Sequence, residues 1–353
     1  MSTSTLTRSS AKRTVGQWVL IGVVGALLLG TALWILFFAT GTPADPLFTD
    51  STDFVRTSLN SLTVAGLYFV VAAGFTLVFG LMRVVNLAHG SLYLLGGYVA
   101  LEVQKAMVGK GGNYSPSDVG PMEWLVPLLV AAALAGIIGL IIQQVFLRWF
   151  QGDDMRETLI TIAISVIMAD QMLRIFGGLA KDIKWPAFVD GFLEIGEFKY
   201  SLSRLFMLAL ALIVGALLYL WLQKTRTGMV IRAGVDDTRM VQALGINVQV
   251  VFGLAFLVGA ALAGMGGVMG GSFASLGSGS DGQWLLNSIV VVIVGGMGSL
   301  MGAAAGALLL GIVSSFAPAY LPADLTPFSI IFTFVLLAAV LAWRPYGLFG
   351  RPE

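Results

Sequence analysis

The stretch TRTGMVIRAGVDDTRMVQALGINVQ, Thr225 to Gln249, decides how the rest of the chain is to be read. It is too polar to lie in lipid. It separates two apolar runs, Leu202–Leu222 and Val250–Met269, each close to the ~20 residues that cross a bilayer as a helix. The stretch is therefore a loop on one face of a membrane. Lys224, Arg226, Arg232 and Arg239 are basic, and the bias of Lys and Arg toward the inside places residues 224–249 in the cytoplasm. Asp236 and Asp237 can supply an N-cap and a first-turn carboxylate, and Gly245 a C-terminal stop, which predicts a helix of about two turns. Met240, Val241 and Leu244 then gather on one face, and Ile246 packs back on the last turn. That apolar face either lies on the protein's own membrane domain or docks into a groove on a cytosolic partner.

Composition agrees with a membrane setting. Hydrophobic residues make up 57% of the 353 residues and charged ones 11%, against about 25% charged in soluble domains. The chain reads as an all-α integral membrane protein, a polytopic helical bundle of about 8 to 10 transmembrane segments. A net charge of +1 gives no case for a nucleic-acid partner. With no cysteine and one histidine, a multi-ligand zinc site and a His-based hydrolase are short of parts, and only a Ser-Lys dyad is left formally open. No catalytic or metal-binding residue is assigned, and the chain is not expected to be an enzyme.

In chain order, a polar leader with Arg8, Lys12 and Arg13 precedes the apolar run Trp18–Ala39. That run exceeds the about 7 to 15 residues of a signal-peptide core, so a retained first span is expected. Further runs follow at Leu59–Gly80, Ser91–Val108, Trp124–Leu147 and Glu157–Phe176. Residues 177–200 form the longest external loop, in which Trp185-Pro186 and Asp190-Gly191 interrupt regular structure. Two pairs of charges fall inside runs, Glu102 with Lys105 and Asp170 with Arg174. Their spacing lets each pair neutralise itself on one helix face.

The run Leu285–Phe316 is too long for one helix and short for two, with VGGMGS at its middle. If it turns back at Gly295–Ser299, the last run, Phe328–Trp343, leaves Arg344 and Arg351 in the cytoplasm, as the charge bias requires. A second interruption is NLAHG, Asn86–Gly90. Unwound backbone at membrane depth persists only where protein or a water-filled cavity satisfies it, so broken or re-entrant helices point to a pathway. Asn86, His89, Gly90, Ser91, Gly295, Gly296, Gly298 and Ser299 are the candidate pathway residues, with helix N-termini suited to a substrate carboxylate. For His89 the alternative is a ring that hydrogen-bonds a neighbouring carbonyl and holds the break in shape. The small-residue spacings Gly266/Gly270, Gly267/Gly271 and Gly302/Gly306 read as close helix packing.

The segments VVNLAHGSLYLLGGYVA, TRTGMVIRAGVDDTRMVQALGINV, FLVGAALAGMGGVMGG, IVVVIVGGMGSLMGAAAGALLLGI and RPYGLFGRPE occur in this order. Together they resemble the LivH-type permeases of bacterial ATP-binding-cassette importers for branched-chain amino acids, over residues 54–353. The resemblance implies a multi-pass permease of the inner membrane, paired with a second, LivM-like permease. It further implies two cytosolic ATPases recruited through the coupling loop 224–249 and a periplasmic substrate-binding protein. Under it, Arg232, Asp236, Asp237, Met240, Val241, Leu244 and Gly245 couple to the ATPases. No phosphate-binding loop is present in the chain, so no cofactor is bound here, and ATP with its magnesium belongs to the partner subunits. Residues 1–53 become an accessory leader, helix and external connection. Ser91 stands where such permeases often carry an acid, which leaves urea, amides and aromatic acids open as cargo. A secondary transporter or channel is the rival class, and unpaired mid-membrane carboxylates would mark it.

Overall fold

A computed structural model of the chain describes residues 51–82, 85–109, 114–195, 198–321 and 324–350. The expected first span Trp18–Ala39, its basic leader, Arg83 and Arg351 lie outside the described residues. The membrane helices are α1 Ser51–Met82, α2 His89–Val108, α3 Met122–Ile141, α4 Asp154–Phe176 and α5 Leu202–Lys224. After two short helices, α6 Arg226–Asp236 and α7 Thr238–Ala243, come α8 Val248–Phe273, α9 Ser280–Gly295, α10 Leu300–Tyr320 and α11 Ile330–Trp343. Seven of the helical stretches are long and apolar enough to cross a membrane, and the chain is an all-α polytopic membrane protein.

The core is built on α1 and α8. Their backbones meet at Gly74 and Gly259, where a Cβ on Gly259 would stand 2.7 Å from the Gly74 carbonyl oxygen. Helix α2 lies in the glycine-lined groove of α8. A Cβ on Gly96 would strike the backbone of Gly264, and one on Gly270 would strike the Tyr93 hydroxyl. The glycine spacings thus serve close approach, the packing force available between helices in lipid. Tyr93 in turn stacks on Trp284 of α9 at 4.9 Å between ring centroids.

Helices α9 and α10 form the doubled-back hairpin that charge placement favoured. A Cβ on Gly302 would collide with the Gly295 carbonyl, and one on Gly306 with that of Val291. The turn between them, with Gly296 and Gly298 at φ 105° and 78°, packs on the C-terminal segment. There Leu348 and Phe349 donate backbone N–H bonds to the carbonyls of Val294 and Gly295, each at 2.9 Å. A Cβ on Gly80, near the end of α1, would lie 2.9 Å from the Gly298 Cα. Turn, C-terminal segment and the loop after α5 therefore share one membrane face.

Two expectations are corrected. The external loop is not irregular throughout: Phe192–Ile195 (β1) and Phe198–Ser201 (β2) form an antiparallel hairpin, with Leu193 opposite Tyr200. Within the same loop Ile183 is buried, its N–H donating to the Gly271 carbonyl at 3.0 Å. Of the two intramembrane charge pairs, Lys105 and Glu102 meet at 2.7 Å, whereas no ion pair joins Asp170 to Arg174 among the described residues. Asp170 instead accepts from Gln171 at 3.4 Å, and the outward face of α4 leaves both charges exposed.

Candidate functional site

The first interruption is a short connection whose hydrogen bonds come from side chains. Asn86 Oδ1 accepts from the Ala88 N–H at 3.1 Å, and the His89 N–H donates to the Asn86 carbonyl at 3.2 Å. This is the local Asn chemistry that competes with helix. Helix α4 completes it: Thr161 Oγ1 accepts from the Leu87 N–H at 3.3 Å, and the hydroxyls of Ser91 and Ser165 lie 2.9 Å apart.

His89 is 1% exposed, and its Nε2 lies 3.0 Å from the Val71 carbonyl oxygen. A carbonyl only accepts, so Nε2 carries the proton. The ring packs edge-on against Phe75 at 5.4 Å. Val71 is eleven residues from the end of α1, about 16 Å along it, which sets the break near the middle of a hydrocarbon core of about 30 Å. Helix α2 starts there and runs outward.

Gly90 is where a second helix start meets the first. A Cβ on it would collide with the Asp281 carbonyl oxygen and lie 2.9 Å from the Leu285 Cβ. Thus α2 and α9 begin side by side, and Asp281, Ser278 and Tyr98 line a small cavity against Ala169, Met172 and Leu173 of α4. The described residues place no cation on Asp281, and its position in the first turn of α9 suits a carboxylate. Thr161, Ser165 and Asp281 escape sequence reading. The only trace of the first two is a pair of hydroxyls four residues apart in an apolar run.

The second interruption does not share this depth. Gly295, Gly296, Gly298 and Ser299 sit at the membrane face, about 14 Å along α1 from Val71. Ser299 caps α10, its Oγ accepting from the Gly302 N–H at 3.0 Å. The Val235 side chain of α6 lies against both Gly80 and Gly298, so this turn belongs with the cytoplasmic loop.

That loop holds two helices where one was expected. Thr225 Oγ1 caps α6 by accepting from the Gly228 N–H at 3.1 Å. A Cβ on Gly228 would collide with the Trp221 carbonyl, which keeps α6 tight under α5. Asp236 ends α6, and at the start of α7 Asp237 Oδ1 accepts from the Met240 N–H at 3.0 Å. Gly245, at φ 78°, ends the turn, and the Ile246 N–H reaches the Val241 carbonyl at 3.3 Å, as in a Schellman cap. The expected apolar face is split. Val241 is 2% exposed within the core with Ile231 and Val251, while Met240 is 60% and Leu244 72% exposed. Arg232 donates to Gln223 Oε1 at 2.5 Å and faces solvent.

Comparison with known proteins follows the same outline. The family described as "Branched-chain amino acid transport system / permease component" matches residues 57–341. The high-affinity branched-chain amino acid transport system permease protein LivH of Escherichia coli is 31% identical over 313 residues, covering 85% of this chain and 96% of LivH. The high-affinity branched-chain amino acid transport system permease protein BraD of Pseudomonas aeruginosa is 28% identical over 311 residues, covering 85% of this chain and 97% of BraD. A probable LivM permease of Methanocaldococcus jannaschii is 23% identical over 321 residues, covering 80% and 90%. No solved structure matches the chain. With a match spanning α1 to α11 and a relative of this identity over nearly its whole length, the chain belongs to the branched-chain amino acid transport system permease family.

Proposed function

We propose that this chain is the permease subunit of an ATP-driven importer in a bacterial inner membrane, moving branched-chain or other small amino acids inward. Its partners are a second, LivM-like permease, two cytosolic ATPases and a periplasmic substrate-binding protein. ATP and magnesium are held by the ATPases and not by this chain. Residues 1–53 are an accessory segment before the permease domain of residues 54–353.

The observation that carries this reading is the split face of α7. Val241 anchors the helix to the membrane core, while Met240 and Leu244 face outward. Two large apolar side chains side by side on a solvated helix suit docking into a groove, and Val235 ties the preceding helix to Gly80 and Gly298. The substrate path is assigned to the connection Asn86–Ser91, where two helix starts meet Asp281. There the carboxylate of Asp281 suits an ammonium group, and the first-turn N–H groups of α2 suit a carboxylate. Similarity to both LivH and LivM proteins supports a pair of like-folded permeases around the path.

The test is reconstitution of the permease pair, ATPases and binding protein in proteoliposomes. Inward uptake of labelled leucine that requires both ATP and the binding protein is expected. Uptake driven by an ion gradient without ATP would replace this reading with a secondary transporter.

A further inference from the structure

Outside the path, the external face carries a cleft of about 510 Å³ lined by Arg56, Trp185, Phe192, Lys199, Tyr200, Ser201, Ser203, Arg204 and Phe273. It lies where the start of α1, the β-hairpin, the start of α5 and the end of α8 come together. Among the described residues, its lining holds three cationic side chains and no carboxylate.

Two of those cations are neutralised at the rim: Arg56 pairs with Asp53 at 2.6 Å and Lys199 with Glu194 at 2.6 Å. Arg204 is different. It is half-buried, its guanidinium donates to the neutral Asn60 side chain and lies 5.6 Å from the centre of the Phe273 ring, and no described carboxylate pairs with it. The group is held in place with its charge unmatched. Around it, α1 and β2 are locked by Thr63 Oγ1, which lies 3.2 Å from the Tyr200 hydroxyl, and the Ser201 and Ser203 hydroxyls lie 2.7 Å apart. Trp185, Phe192 and Phe273 supply apolar walls.

A fixed guanidinium with spare donors, flanked by hydroxyls and aromatic rings, matches a carboxylate attached to an apolar group. We propose that this cleft is an external binding site for the carboxylate of an amino-acid cargo, with Arg204 as its anion-binding group. The inference rests on the importer reading and narrows the cargo to carboxylate-bearing molecules, against urea and simple amides. Because no described acid lines the cleft, the cargo ammonium is expected to add little to binding there.

The experiment uses the assembled importer, with its second permease and ATPases, in nanodiscs without the binding protein. Binding of tritiated leucine is competed by isocaproate, which lacks the ammonium, and by leucinol, which lacks the carboxylate. Isocaproate is expected to displace leucine as well as leucine itself does, and leucinol to fail. Arg204→Met is expected to weaken leucine binding roughly 10- to 100-fold, as for loss of a charged hydrogen-bond partner. Arg204→Lys, which keeps the charge and loses the planar fork, is expected to fall between. Both variants should assemble and keep basal ATPase activity. Displacement by leucinol equal to that by isocaproate, an unchanged affinity in Arg204→Met, or no displaceable leucine on the wild type would each overturn the assignment. Failure of ATPases to assemble with the wild type would sink the importer reading separately, while the competition pattern still reads the cleft.

Discussion

Leu244→Asp tests the coupling face most sharply. Leu244 is 72% exposed and makes no core contact, so on the isolated permease the change should cost within ~0.5 kcal/mol, as for other surface substitutions. On an ATPase the balance differs. Burying a leucine side chain in a groove contributes about 1.5 to 3 kcal/mol, and placing an unpaired carboxylate there costs several kcal/mol more. Allowing for partial relaxation, about 3 to 6 kcal/mol is lost, roughly a hundredfold to ten-thousandfold in affinity at ~1.4 kcal/mol per decade. The assay is the Kd of the purified ATPase for nanodisc-embedded permease pair, read beside the thermal stability of the permease. Lys224→Ala, at the membrane edge, should change neither. Val241→Asp is the contrast: at 2% exposure it should damage folding itself. A Leu244→Asp affinity within about threefold of wild type would mean that α7 is a solvated connection and that the exposed leucine recruits nothing.

Four further outcomes are expected. Gly90→Val should abolish uptake while leaving protein in the membrane, because its Cβ would meet the Asp281 carbonyl and the Leu285 Cβ; normal uptake would show that α2 and α9 separate there. His89→Gln keeps an N–H donor for the Val71 carbonyl and should retain most transport, whereas complete loss in well-inserted protein would assign the ring to the path rather than to holding the break. Gly80→Val should leave the ATPase bound yet lower uptake per ATP hydrolysed, since the new side chain would press on Gly298 and Val235, and a reporter fused after Glu353 should read as cytoplasmic, with a periplasmic signal overturning the α9–α10 hairpin.

The spans were legible because lipid imposes one rule on every residue within it. Leu202–Leu222 became Leu202–Lys224, and Val250–Met269 became Val248–Phe273. Where the rule lapses, so does the reading. Helix α1 continues eight residues beyond its apolar run through STDFVRTS, because helical hydrogen bonding does not stop at the edge of the hydrocarbon. Helix α6 was missed because RTGMVIRAGVD carries two glycines and basic residues; its order comes from Gly228 pressed on Trp221 and from Ile231, 1% exposed. The β-hairpin has strands of four residues each, too short for alternation to stand out. At the candidate site, Asn86 and Gly90 were readable since turn chemistry is local. Thr161 and Ser165 were not, because the partners they serve lie 74 residues away in the chain.

One helix links the three levels of the molecule. Near its outer end α1 holds Arg204 through Asn60 and Tyr200 through Thr63; at mid-depth its Val71 carbonyl accepts a hydrogen bond from His89 Nε2; near its inner end Gly80 meets Gly298 and Val235. In the proposed importer, a push on Val235 from a docked ATPase would reach α1 directly. The Gly74–Gly259 contact brings backbone against backbone, with Val78 and Leu262 packed beside it, so α1 and α8 are held closely there. The connection Leu87–His89 is held otherwise, by single side-chain bonds from Asn86 and Thr161 in place of a helical ladder. Each such bond contributes only ~0.5 to 1.5 kcal/mol net, whereas breaking the interior of α1 or α8 forfeits several ladder bonds at once. Displacement begun at the cytoplasmic loop is thus absorbed at the connection that starts α2, which is also where α9 begins and Asp281 stands. In the proposed importer, the polar break and the charged loop would be parts of one mechanism, with α1 as the rigid member between them.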